Sequence, residues 1–153
     1  MSIEKARAHL RKHGLADKIQ EFTVSSATVA LAAEALGCEP ARIAKSLSFE
    51  KGDSAILVIA AGDARIDNAK FKQHFGMKAK MLSADKVEPL IGHGVGGVCP
   101  FGVNEGIDVY LDESMKRFET VYPAAGTSAS AVHLTLSELE RASEAIGWVN
   151  VCK

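Results

Sequence analysis

The sequence lacks the residues and segments that mark several protein classes. Its three cysteines, Cys38, Cys99 and Cys152, are widely separated and form no CxxC pair, which predicts neither a disulfide framework nor a zinc cluster. No run of about 18 apolar residues occurs, and the N-terminus passes straight into charged amphipathic sequence without an apolar signal core. We therefore expect a cytoplasmic protein that has no membrane partner.

A strong positive charge is absent as well. The 153 residues carry a formal net charge of -1, and 24% of them are charged, whereas a protein that coats nucleic acid is basic as a whole. DNA is therefore not an expected partner, and any contact with RNA must be local. The length fits one domain that spans residues 1–153 and buries a substantial core.

Periodicity and capping residues predict alternating helices and strands. The predicted helices begin near Ile3, at Ser26 or Thr28, after Asp67, after Ser83 and at Thr135, and they end at Gly14, Gly37, Gly76, Ile91 and Gly147. The predicted strands cover Phe22 with Val24, 47–49, 55–61, 107–111, 118–122 and 131–134. Because this order has no strict βαβ rhythm, we predict an α+β (mixed α/β) fold in which helices flank a curved mixed sheet.

A glycine-rich segment, residues 94–102, reads Gly-Val-Gly-Gly-Val-Cys-Pro-Phe-Gly. Its glycines and proline predict an exposed loop whose main-chain N–H groups can approach a carbonyl or phosphate oxygen. No lysine follows the last glycine, so the segment is not a GxxxxGK[ST] phosphate loop. We interpret it as a carbonyl or oxyanion cradle, and an ordinary glycine-rich turn is the competing interpretation.

Lys45 is set between apolar residues at the start of a predicted strand, after Ile43-Ala44 and before Leu47 and Phe49. We expect its ammonium to emerge beside apolar walls, where desolvation strengthens the attraction for an anion. A solvated lysine at a strand edge is the alternative.

Together these segments resemble a known family. Matching pieces are 28–37, Ile43-Ala44-Lys45-Ser46-Leu47, 62–67, the Gly96-x-x-x-Pro100 signature, Gly126 and 131–134. They resemble the YbaK/EbsC family, the freestanding relatives of the editing domain inserted in bacterial prolyl-tRNA synthetases. The resemblance implies a metal-independent aminoacyl-tRNA deacylase that uses no cofactor and hydrolyses the ester of mischarged aminoacyl-tRNA in trans. A synthetase is a second candidate partner.

The resemblance also implies roles for single residues. Lys45 would hold the tRNA 3′ end through a phosphate of the terminal adenosine. The main-chain N–H groups of Gly96, Gly97, Val98 and Cys99 would bind the oxyanion while a water or the substrate's ribose hydroxyl attacks, so no Ser-His-Asp set is needed. The expected substrate-binding residues are Thr28, Ser46, His93, Pro100, Phe101, Gly102, Gly126 and Ser128. Helix capping or turn formation competes with this role for Thr28 and Ser128, and a plain surface position competes for His93.

Two further features of the sequence are candidates for chemistry. The Cys99 thiol on the glycine loop could be an activated nucleophile, although no histidine or acid is placed by the sequence to activate it, and a space-filling role is the alternative. Residues 69–84 contain no acidic residue, and their cations form a candidate contact for tRNA phosphates: Lys70, Lys72, Lys78 and Lys80. A solvated surface is the competing interpretation.

One departure from the family bears on specificity. Ala131 occupies the place where the cysteinyl-tRNA branch of the family carries an aspartate, which favours another small amino acid such as alanine or serine. Three functions remain: the deacylase, a non-catalytic tRNA-binding or synthetase-binding module of the same fold, and a hydrolase or redox protein that depends on Cys99. Intact Lys45 and Gly96-x-x-x-Pro100 favour the deacylase.

Overall fold

The structure, a computed structural model, describes residues 2–23 and 28–153. Its α-helices are α1 (Ser2–Lys12), α2 (Val29–Leu36), α3 (Asn68–Phe75), α4 (Ala84–Ile91) and α5 (Leu136–Ser143). Its strands are β1 (Ile19–Glu21), β2 (Ile43–Lys51), β3 (Ser54–Ala61), β4 (Asp108–Asp112), β5 (Thr120–Pro123), β6 (Ser130–Val132), β7 (Leu134–Thr135) and β8 (Gly147–Val149). Within these residues, no helix is both long and apolar enough to cross a membrane.

Six strands form a mixed sheet in the order β7-β5-β2-β3-β4-β8. The pairs β2–β3 and β5–β7 are antiparallel, whereas β2–β5, β3–β4 and β4–β8 are parallel. A separate two-stranded sheet joins β1 to β6, and a bridge between Ala124 and Ala131 links β6 to the end of β5. The predicted mixed sheet with helices around it is confirmed.

The apolar run at 55–61 forms the centre of the core. Every residue from Ala55 to Ala61 in β3 is at most 2% exposed, because α-helices and loops cover both faces of the strand, as expected for a continuously apolar segment. On one face Phe49 packs against Phe71 of α3, with ring centroids 4.8 Å apart. The β2–β3 hairpin turns at Gly52, whose φ is 59°.

The edge of β2 that faces away from β3 is covered by two different segments. Its first two residues pair in parallel with β5. Farther along, the Leu82 N–H donates to the Ser48 carbonyl at 3.0 Å, and the Glu50 N–H donates to the Lys80 carbonyl at 2.8 Å. Because alternate residues of an antiparallel strand direct their main-chain groups to the same edge, the main-chain N–H and carbonyl of Ser46 also face this outer edge of β2. Ser46 lies between the two covering segments.

Most predicted helix ends are confirmed. Thr28 caps α2 by accepting a hydrogen bond from the Leu31 N–H at 3.1 Å, and Asp67 caps α3 through the N–H groups of Ala69 and Lys70. Gly37 and Gly76 end these helices in the left-handed conformation, with φ of 68° and 71°. These caps are local, which is why the sequence pattern reveals them.

Several boundaries differ from the predictions. The strand predicted at 131–134 is divided between β6 and β7, which belong to different sheets, and β5 begins at Thr120 rather than at Phe118. Helix α5 does not continue to Gly147: it ends at Glu144, which takes the left-handed conformation without being glycine (φ 54°), and Gly147 begins β8. The first strand is Ile19–Glu21, so it ends before Phe22. Val24, the other residue of that predicted strand, and Ser26, an alternative cap for α2, lie outside the described residues.

The capping box of α5 provides a test of the fold. Thr135 accepts from the Glu138 N–H at 3.1 Å, and the Glu138 carboxylate accepts from the Thr135 N–H at 2.9 Å. Thr135→Ala should lower the free energy of unfolding by about 1 kcal/mol, because one helix N–H loses its acceptor. Urea denaturation measures the change. Ser137→Ala, at an exposed position in the same helix, is the control, and equal stability of both variants would contradict the capping role.

Candidate functional site

A cavity of about 340 Å³ lies where the edge of β2 is uncovered. Its wall is built from α2, the β2 edge, residues 81–87, the glycine loop, and the ends of β5 and β6. Six residues singled out in the sequence line it: Thr28, Lys45, Ser46, Gly96, Val98 and Ala131. The fold therefore brings together the Lys45 segment and the glycine loop, which are about fifty residues apart in the chain.

Ser46 is the polar centre of the cavity wall. Its hydroxyl oxygen is buried and has no hydrogen-bond partner among the described residues. Side chains alternate across a strand, so the small Ala44, Ser46 and Ser48 share the face of β2 that lines the cavity. A buried hydroxyl without a partner costs about 1–3 kcal/mol, and a polar group of a ligand can relieve that cost.

Lys45 lines the cavity, but its ammonium is already engaged by main-chain oxygens. It donates to the Gly62 carbonyl at 3.3 Å and to the Ala64 carbonyl in a shorter contact. Burial lowers the pKa of the ammonium, and the neighbouring Asp63 carboxylate acts in the opposite direction. A lysine has three donors, so one N–H remains for a ligand. The expectation of a desolvated cation beside apolar walls is consistent with this placement.

The glycine loop packs against the turn at Gly126. A Cβ added to Gly97 would lie 2.4 Å from the Gly126 carbonyl oxygen, so no larger residue fits there without movement. The Gly97 N–H donates to the Gly94 carbonyl at 3.0 Å, which closes a turn inside the loop and engages one of the four N–H groups expected to bind the oxyanion. Gly96 has a φ of 91°, which glycine adopts without strain.

Cys99 and His93 lie beneath the loop in the core. Both are 0% exposed, and the Cys99 sulfur lies 3.6 Å from His93 Nε2 and 3.7 Å from the Phe101 carbonyl oxygen. Burial raises the pKa of the Cys99 thiol to about 12, so the reactive thiolate is scarce at neutral pH. Cys99 does have a neighbouring histidine, which the sequence did not place, but burial also lowers the pKa of that imidazole. The surface position considered for His93 is wrong.

The remaining expected substrate-binding residues lie around the cavity rather than on its wall. Pro100 and Phe101 are buried, Gly126 is buried with a φ of 98°, and Ser128 is half-buried in the turn that follows. A Cβ on Gly102 would meet the Lys5 carbonyl oxygen at 2.7 Å, so this glycine serves the packing of the loop on α1. These residues hold the loop in place, whereas Thr28 and Ser46 face the cavity.

The four lysines of the acid-free stretch differ in their surroundings. Lys70 is half-buried, and its ammonium donates to the Cys152 carbonyl at 3.0 Å. Lys80 forms an ion pair with Glu50 at 3.4 Å. Lys72 and Lys78 are exposed and have no ion pair with any residue in the described ranges. They border a shallow cleft between α3 and the segment after it, and they are the two cations most available to a phosphate.

Sequence reasoning missed several residues of the cavity wall, including Ser48, Tyr122 and Ser130. The Tyr122 ring stacks on His133, with centroids 4.3 Å apart, and the Arg42 guanidinium lies 5.3 Å from the same ring. These contacts arise between distant segments and leave no local signal. Ser48 could have been predicted, because the small residues Ala44, Ser46 and Ser48 alternate with larger ones along the strand. One face of the strand therefore carries small side chains and leaves space for a cavity.

Comparisons with known proteins assign the family. The family model described as "Aminoacyl-tRNA editing domain" matches residues 23–142. The chain belongs to this family.

Relatives and solved structures agree with that assignment. The uncharacterized protein YwhH of Bacillus subtilis is 51% identical over 100% of this chain and 98% of its own length. A proline–tRNA ligase of Shouchella clausii is 30% identical over 86% of this chain, which spans only 24% of that ligase. The crystal structure of a candidate trans-editing enzyme for prolyl tRNA synthetase superimposes with a TM-score of 0.89 at 29% identity, covering 99% of this chain and 97% of the other.

The close packing of Gly97 on Gly126 predicts the effect of a single methyl group. Gly97→Ala should lower the free energy of unfolding by about 1–3 kcal/mol, because the Cβ overlaps main-chain atoms that cannot rotate away. Gly94→Ala is the matched control in the same loop, since its Cβ would meet only the Glu88 side chain at an ordinary 3.6 Å. Thermal or urea unfolding distinguishes the two variants. A Gly97→Ala protein as stable as Gly94→Ala would contradict this loop geometry.

Proposed function

We propose that this member of the aminoacyl-tRNA editing domain family is a freestanding deacylase that hydrolyses mischarged aminoacyl-tRNA in trans. The observation that carries the proposal is the meeting of Lys45, Ser46 and the glycine loop around one cavity. The match to a candidate trans-editing enzyme over nearly the full length of both chains supports action in trans.

In this proposal the aminoacyl group enters the cavity and the ribose of the terminal adenosine remains at its mouth. The Ser46 hydroxyl, which is buried and has no partner within residues 2–23 and 28–153, hydrogen-bonds a polar group of the bound ester. Lys45 uses its remaining N–H on a phosphate of the tRNA 3′ end, and the Gly62 and Ala64 carbonyls fix the direction of the ammonium. Ala131 lines the cavity at the place where the cysteinyl-tRNA branch carries an aspartate. We therefore expect the amino acid of the substrate to be small and uncharged.

The chemical step assigned to the loop is stabilisation of the oxyanion. A water, oriented by the neighbouring ribose hydroxyl, adds to the carbonyl carbon and gives up a proton, and negative charge develops on the carbonyl oxygen. The bond to the ribose oxygen then breaks, and that oxygen takes up a proton, which releases the free amino acid and the tRNA. Main-chain N–H groups oriented at that oxygen lower the barrier without moving. Because the Gly97 N–H is engaged within the loop and Cys99 is 0% exposed, the donors assigned here are those of Gly96 and Val98, which line the cavity. No step in this scheme needs a metal.

The thiol alternative has little support. A nucleophile must reach the substrate, whereas Cys99 is 0% exposed and its pKa is raised to about 12. The second alternative, a binding module without catalysis, is favoured by no particular contact in the cavity. A panel of mischarged tRNAs, incubated with the purified chain and EDTA, tests the main proposal. Release of at least one small amino acid is expected, and binding without release across the panel would favour the module.

Lys45 provides the sharpest test of the site. Lys45→Ala should slow deacylation of the best substrate by about 10- to 150-fold, the equivalent of a charged hydrogen bond worth about 1.5–3 kcal/mol. Some loss of stability is also expected, because the Gly62 and Ala64 carbonyls lose their donor. Rates are therefore compared below the melting transition, with Lys51→Ala, at an exposed position at the other end of β2, as the control. Full activity of folded Lys45→Ala would overturn the assignment.

The basic stretch predicts a graded response to salt. Lys72→Gln and Lys78→Gln should each reduce the slope of log affinity against log salt for intact tRNA by about 0.7–0.9, because each loses one phosphate contact. Lys70→Gln and Lys80→Gln should change it less, since those ammonium groups are held by the Cys152 carbonyl and by Glu50. Filter binding at several salt concentrations measures the slopes. Unchanged slopes in all four variants would mean that tRNA is held elsewhere.

A further inference from the structure

A second group of chemically competent side chains lies outside the cavity, where α1 meets the end of α5. His9 and His13 are four residues apart on α1, so they share one face of the helix. Glu144, at the C-terminal end of α5, places its Oε2 atom 3.3 Å from the Nε2 atoms of both histidines. None of the three residues lines the cavity.

The spacing of these atoms is that of ligands around a small metal ion. With bonds of about 2.0–2.1 Å, two ligands of a tetrahedral zinc ion lie roughly 3.3 Å apart, and the three ligand atoms here all lie within 4.8 Å of one another. Imidazole and carboxylate together suit Zn²⁺ and similar transition metals. The histidine side chains are 12% and 19% exposed and that of Glu144 is 57% exposed, so a water can complete the coordination.

The backbone at Glu144 is an independent observation. Among the described residues it is the non-glycine residue with positive φ, at 54°, in a position where glycine or asparagine ordinarily ends a helix. Such a conformation carries strain and persists where the surroundings hold it. This backbone conformation directs the Glu144 carboxylate at both histidines, with its Oε2 atom 3.3 Å from each Nε2 atom.

Without a metal, the cluster is held by hydrogen bonds. His9 Nε2 lies 2.6 Å from the Ala142 carbonyl oxygen, and because a carbonyl only accepts, this nitrogen carries the proton. Metal binding at Nε2 requires that proton to move to Nδ1, so the metal competes with a hydrogen bond of the free protein. The expected affinity is accordingly moderate. Arg141, which donates to the His13 carbonyl at 3.3 Å, and Lys12 are the neighbouring cations.

We propose that His9, His13 and Glu144 form a three-ligand site for Zn²⁺ that joins α1 to the end of α5. All three lie outside residues 23–142, the segment that the family model matches. The zinc site does not depend on the proposed deacylation. The site is structural, because it bridges two helices that are more than 120 residues apart in the chain.

Zinc binding to the full chain without a polyhistidine tag tests the site. Competition with a chromophoric chelator should give one Zn²⁺ per chain, and Zn²⁺ at 100 times the dissociation constant should raise the melting temperature by roughly 5–10 °C. Co²⁺ should give the weak visible bands of nitrogen and oxygen ligands. An intense thiolate charge-transfer band would place the metal on a cysteine and overturn the proposal, as would the absence of binding.

Variants separate these ligands from other side chains. His13→Gln and Glu144→Gln should each weaken Zn²⁺ binding by at least about tenfold, while His74→Gln, an exposed histidine on α3, should bind as the native chain does. Glu144→Gly removes the ligand but suits the left-handed backbone, so it should fold normally and lose the rise in melting temperature with Zn²⁺. Native affinity in Glu144→Gly or His13→Gln would overturn the assignment.

Discussion

The antiparallel pairing of β2 with β3 is the interaction on which the rest of the structure depends. Eight residue pairs join the two strands, from Ala44 with Ala61 to Lys51 with Ser54. The other edge of β3 is occupied by β4, and its faces are buried. Since β3 offers neither a free edge nor a free face, an opening in the centre of the sheet can form only along the outer edge of β2. That is where the cavity lies.

Both faces of β2 contribute to the candidate site, in different ways. Leu47 and Phe49 belong to one face and pack into the core, and Lys45 leaves the strand on the same side to reach the carbonyls of the Gly62–Ala64 turn. On the opposite face Ala44, Ser46 and Ser48 carry small side chains, which leave room for the cavity beneath the glycine loop. A shift of register by one residue would exchange the faces. The hairpin at Gly52 therefore positions the candidate site as well as the core.

Local signals in the sequence were sufficient for most of the fold. Thr135 with Glu138, and Asp67 with Gly76, are caps within one or two turns of the residues they serve, so pattern alone finds them. The end of α5 was not predicted, because Glu144 takes a left-handed conformation that glycine usually occupies. A residue that breaks a local preference is held by tertiary contacts, and those contacts are absent from the pattern.

The candidate site could be predicted in its parts but not in its arrangement. The neighbours of Lys45 and Gly96 made these residues candidates, the resemblance to the family implied their roles and that of Ser46, and the fold brings all three to one cavity. The engagement of the Gly97 N–H within the loop, and of the Lys70 ammonium by a carbonyl 82 residues away, could not be foreseen. Both depend on where a hydrogen-bond partner lies in space, which periodicity does not encode.

The uncovered stretch of β2 also affects how the cavity can discriminate between ligands of similar size. An apolar pocket separates ligands that differ by one methylene by only about 1–3 kcal/mol, whereas a site with an unpaired polar group rejects a ligand that fails to pair it much more strongly. Ser46 brings to this cavity a buried hydroxyl that has no hydrogen-bond partner in the part of the chain that the structure describes, and its main-chain groups face the same gap. In the proposed function, selectivity thus arises chiefly from the pairing of Ser46. The apolar wall sets the upper limit on size, since each added methylene must find space within about 340 Å³.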